Sequence, residues 1–146
     1  MTKWAIALAS ILILALPMAM TGCSQSYAVE GVVDHKVLSG IKDSTQYAIV
    51  WNKPDDDGTP INMVKDDVFQ ACFPLQGELV VSEEVENQMG AFYSEFVYQV
   101  SVRKSPDDTF GYLTTREIFN QMSLGATAKI RVSESSGFPR IVRIVD

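Results

Sequence analysis

The chain has 146 residues, 12 of them basic and 18 acidic, with one histidine and a formal net charge of −6. That length suits a single domain behind any leader. The acidic balance argues against a nucleic-acid backbone as partner, because neutralising phosphates takes clustered Lys and Arg. The nearest thing to a basic group, Arg131, Arg140 and Arg143, is interrupted by Glu134 and followed by Asp146.

The chain opens on a positive end, Met1 to Lys3, followed by an apolar run from Trp4 to Leu16 in which only Ser10 is polar. A helix over that run rises about 20 Å, short of a hydrocarbon core of about 30 Å. Extended through Pro17 to Met20 it reaches about 25 Å. A positive end, an apolar run and small residues before a break are the order of a secretory leader. Met20-Thr21-Gly22-Cys23 resembles the lipobox of bacterial lipoproteins, with Met20 where leucine is usual. The resemblance implies that the Cys23 thiol takes a diacylglycerol and that a peptidase cuts between Gly22 and Cys23. It also implies anchoring to a lipid bilayer through acylated Cys23, which two or three acyl chains make stable. Ser24, instead of Asp, then favours the periplasmic face of an outer membrane where the host has one. A plain cleaved leader and an uncleaved, tilted membrane helix are the competing readings. The expected organisation is a signal peptide over 1–22, a lipidated cysteine and short tether over 23–27, and one mainly β domain over 28–146.

In the exported body, Tyr27–Leu38 reads as a strand with Val29, Val33, Val37 and His35 on one face and Glu30, Asp34 and Lys36 on the other. A second strand, Thr45–Asn52, carries Tyr47, Ile49 and Trp51 in register and pairs with the first across a loop at Gly40. Asn52 to Pro60 is turn-rich. Residues 61–81 are less clear, with FQACF and GELVV reading as extended. Ser82 caps a short helix that Gly90 ends. Phe92–Lys104 is the strongest strand, Phe92, Phe96, Tyr98, Val100 and Val102 forming its apolar face. After a turn and a return strand, Thr114 and Glu117 spell a capping box for a helix with Ile118, Phe119 and Met122 inward. Two closing strands follow. Their sequence, MSLGATAKIRV and FPRIVRIV, faintly resembles the end of OB-like or SH3-like barrels. The expected fold is mostly β (α+β): a single small antiparallel sheet or curled barrel with one or two short helices.

Few residues carry chemistry. His35 is the single imidazole and falls on the apolar face of its strand, where packing is the simplest role. Asp55, Asp57, Thr59 and Asp66 mimic a calcium loop, but Pro60 replaces the glycine that its sharp turn requires. No metal ligand set, catalytic group or cofactor motif is assigned. A serine triad would rest on His35 alone. Cys72 reads as a buried small hydrophobe, with a disulfide to Cys23 as the competing account. Tyr93 and Trp51 are the candidate partner surface. Three functions follow: a non-enzymatic envelope accessory protein that binds another envelope protein, a small-ligand-binding β-barrel, or a small anchored hydrolase using acidic residues.

Overall fold

A computed structural model describes residues 25–135 and 137–145. The leader, the lipobox and Cys23 lie outside the described residues. The body is mostly β: a closed five-stranded barrel with two further strands outside it and three short helices. Strands β1 (Gln25–Lys42), β4 (Glu95–Ser105), β5 (Asp108–Thr114), β7 (Phe138–Ile144) and β6 (Thr127–Ser135) follow one another round the barrel. The ring closes where the first half of β1 pairs with β6, Gln25 opposite Glu134 through Val32 opposite Thr127. The second half of β1 exchanges β6 for β2 (Thr45–Pro54), and β3 (Pro60–Val64) adds to β2. Gln25 to Tyr27, expected as tether, are thus already strand, paired with residues 132–134.

Two irregularities set which side chains point inward. Val33 pairs with Val102 and His35 with Ser101, leaving Asp34 as an extra residue in β1. Such a bulge reverses the facing of everything after it. Val29 and Val33 are inward before it; Lys36 and Leu38 are inward after it, both fully buried. The expectation that His35 faces the core and Lys36 the solvent is therefore reversed. A second slip lets both Ile49 and Val50 of β2 be buried.

β1 also runs through Gly40 instead of breaking there. It turns at Asp43 and Ser44, both with positive φ (50° and 61°), the backbone of a two-residue hairpin turn. Gly40 stays in the strand because a ring lies on it: a Cβ there would sit 2.3 Å from Tyr93 Cγ.

Residues 67–72 form a 3₁₀ turn instead of an extended segment, its first N–H groups met by the Asp66 carboxylate at Val68 N (3.1 Å). Helix α1 (Glu83–Met89) starts at Ser82, whose hydroxyl accepts from Val85 N at 3.2 Å. Helix α2 (Arg116–Gln121) starts one residue later than expected. Thr114 is taken into β5 opposite Tyr98, so Thr115 is the cap, accepting from Ile118 N. Phe119 and Met122 are buried beneath α2, and the Phe119 ring meets Tyr98 at 5.2 Å. Because α2 joins the end of β5 to the start of β6, it covers one end of the barrel. The other end holds the start of β1 and the β4–β5 and β6–β7 turns. Between the ends the interior is filled by Val33, Leu38, Val100, Val102, Ile130, Val132 and Ile141.

Candidate functional site: a histidine and tryptophan face on the outer sheet

By placing His35 outside, the Asp34 bulge creates a chain of polar contacts on the outer sheet. The Asp34 Oδ2 atom lies 2.9 Å from His35 Nδ1, and Ser101 Oγ lies 2.9 Å from His35 Nε2. Arg103 Nε stands 3.4 Å from the other Asp34 oxygen. A carboxylate only accepts, so Nδ1 carries the imidazole hydrogen in the neutral ring and Nε2 accepts from the Ser101 hydroxyl. The ring is held at both nitrogens and lies 6.0 Å from Trp51, centroid to centroid. Asp34, His35 and Trp51, with Lys53 and Pro54, line a groove of about 230 Å³.

Aspartate, histidine and serine in this order suggest nucleophilic catalysis, and the surroundings argue against it. Ser101 is 2% exposed. It sits mid-strand, between His35 of β1 and Gly111 of β5. Its neighbouring backbone N–H groups are committed to those ladders and leave no pair of donors for an oxyanion. What this arrangement can do is fix an imidazole beside an exposed indole. Trp51 is 42% exposed although it is one of the largest apolar side chains, a group suited to a partner that buries it.

Further round the same face, Gln99, Gly111, Leu113, Val97, Gln46 and Phe138 line a broader groove of about 410 Å³ beside the β5–β7 seam. A Cβ at Gly111 would stand 2.3 Å from the Gln99 amide nitrogen and would make that side chain swing aside.

The other sequence candidates fall elsewhere. Tyr93 is not a surface residue: it is 8% exposed, packs on Gly40 and donates from its hydroxyl to Asp66 Oδ2 at 2.5 Å. Burial and then the Asp66 carboxylate push its pKa up to about 12. It precedes β4 instead of belonging to it, so the alternation read from Phe92 onward does not apply to it. Phe92 itself is exposed. Asp55 is occupied by its own loop, Oδ1 accepting from Asp57 N and Thr59 N. Among the described residues no group of three or more His, Cys, Asp or Glu side chains is placed to hold a metal ion. Cys72 is half-buried against the core, its Sγ 3.7 Å from Gln88 Oε1.

The sequence reading missed Lys36. Its side chain is wholly buried, Nζ donating to Leu79 O (2.8 Å) and Met122 O (2.9 Å) and lying 4.5 Å above the Phe119 ring. Desolvation lowers its pKa to about 8, against a smaller upward pull from Glu78. Glu78 in turn accepts from Leu124 N, and the Asn120 amide brackets Val81 at both its N–H and its carbonyl. These contacts fasten the segment after β3 and the end of α2 to β1. The available signal was the apolar pairs Val32-Val33 and Val37-Leu38, which strict alternation does not produce. Among the described residues no helix is long and apolar enough to cross a membrane. No family model matches the chain, and no curated protein or solved structure matches it significantly.

Proposed function

We propose that the chain is a lipid-anchored, non-enzymatic binding module of a bacterial envelope, built on an OB-like barrel, with Trp51 and His35 central to the face that meets its partner. Anchoring rests on Met20-Thr21-Gly22-Cys23 and on Ser24, which favours the periplasmic face of an outer membrane. The OB-like assignment draws support from the order of the barrel strands: the first is flanked by the second and fourth, the third lies parallel to the fifth, and a helix joins the third to the fourth. The observation that carries the binding role is an exposed Trp51 set beside an imidazole immobilised at both nitrogens. Fixed aromatic groups contact a partner at low entropic cost. The packed barrel interior favours a partner held on the outside over a ligand held within. The partner expected is another envelope protein.

Two measurements test this. Intact mass of the membrane-extracted protein is expected to show loss of residues 1–22 and added acyl mass, both abolished by Cys23→Ser. For the face, a photo-crosslinking phenylalanine placed at Trp51 in living cells is expected to give a discrete protein adduct. The same probe at Val68, which is also exposed, is expected to give none. Equal adducts at both positions would refute the assignment of the face.

A further inference from the structure

We infer that the open end of the barrel rests on the bilayer itself through Tyr27 and Phe110, an inference that relies on acylation of Cys23. The first observation is a distance. Gln25 is the first residue of β1 and already pairs with Glu134. Two residues after Cys23, its Cα lies at most about 7 Å from that of the lipidated residue. With a thioether-linked lipid at headgroup level, the start of β1 cannot stand off the surface unless the β1–β6 ladder comes apart.

The second observation is what this end presents. β1 begins here, the β4–β5 turn lies here, and β5 and β7 both start here, running parallel with Leu113 opposite Arg140. Tyr27, Phe110 and Tyr112 line one concavity together with Lys104, and the Phe110 and Tyr112 rings are 5.2 Å apart. Phe110 is 48% exposed and Tyr27 39%. A tyrosine such as Tyr27 favours the headgroup level of a bilayer, and a phenylalanine such as Phe110 the boundary between headgroups and acyl chains. The lysines beside them are paired, Lys104 with Asp108 at 2.9 Å and Lys129 with Glu30 at 3.7 Å. The contact is therefore carried by the rings, beside the acidic Asp107 and Asp108 of the β4–β5 turn, and does not draw on anionic lipid. The opposite end, sealed by α2, faces away, and the outer sheet with Trp51 stands to the side, open to a partner.

The test uses the full chain, processed in cells and reconstituted into vesicles of phosphatidylethanolamine and phosphatidylglycerol, with or without lipid carrying a nitroxide near the headgroup. Trp51→Phe combined with Phe110→Trp places one reporter tryptophan at the open end. Trp51→Phe combined with Tyr47→Trp places it near the β1–β2 hairpin as the distant reference, and Tyr27→Trp replaces Phe110→Trp if the latter does not fold. Nitroxide lipid is expected to quench the open-end reporter by about half or more, against about a tenth or less for the reference, in vesicles with or without phosphatidylglycerol. An acylated protein whose open-end reporter is quenched no more than the reference would overturn this inference and leave anchoring standing. A mass without acyl chains would overturn both.

Discussion

Lys36 gives the sharpest quantitative prediction. An ordinary lysine titrates at 10.5, and burial lowers this one to about 8. Between those values the unfolded chain binds more protons than the folded one, so stability rises as pH rises through the window. At about pH 7 the buried charge makes the fold about 3 kcal/mol less stable than it would be with a neutral amine. Roughly 2 kcal/mol of that is recovered by about pH 9.5. Tyr93 acts in the opposite sense. Its raised pKa contributes stability present below 10.0 and lost as pH climbs toward about 12, and Tyr98, raised by burial and by its bond to Glu86, behaves alike. The scan therefore stops at about pH 9.5, below both tyrosines. Urea unfolding of residues 24–146, repeated at several pH values, is expected to show a rising stability at constant m. Lys36→Met is expected to lack that rise, whatever its absolute stability with the Leu79 and Met122 carbonyls left unpaired. Parallel profiles for the two proteins would refute the reasoning.

Four further outcomes are expected. Gly40→Ala pushes the Tyr93 ring off the strand and costs about 1–3 kcal/mol in urea unfolding; an unchanged midpoint would mean that the ring has room to move. Replacing Asp43-Ser44 by Asn-Gly relieves two positive-φ positions and raises stability by about 0.5–1 kcal/mol, read in the same assay. Thr115→Ala removes the α2 cap and costs about 1 kcal/mol, measured against Ser82→Ala, which does the same to α1. In nitrogen-15 spectra His35 is expected as the Nδ1-protonated tautomer when neutral; Ser101→Ala is expected to keep that tautomer and cost about 1 kcal/mol, whereas Asp34→Ala is expected to mix the two.

Much of this fold could be read from periodicity and turn residues: the two helices, Ser82 as a cap, most strands, and a small curled barrel. What escaped around His35 and Lys36 has one physical origin. Alternation predicts facing only while register is unbroken, and a single extra residue at Asp34 reverses it. That one residue puts His35 beside Trp51 and Lys36 in the core. It also brings Ser101 to His35 from 66 residues away, a meeting made by strand pairing and invisible to local spacing. The shift from Thr114 to Thr115 has a similar cause: a cross-strand partner claimed Thr114 for the sheet, and the next hydroxyl took its place. Tyr93 looked exposed because the strand was drawn too long; once β4 starts at Glu95, the ring belongs to a loop folded over Gly40.

The order in which β1 acquires its neighbours bears on how the molecule comes into being. The segment beginning at Gln25 leaves the ribosome first, yet its partners in β6 arrive on the order of a hundred residues later. Until then the barrel lacks its closing seam, and β1 can pair only through its later residues, with β2 and then β4. A chain built this way cannot close its barrel until nearly the whole of it has been made. The proposed export and acylation are compatible with such a schedule, since the start of β1, next to the proposed lipidation site, would stay unpaired until β6 had crossed.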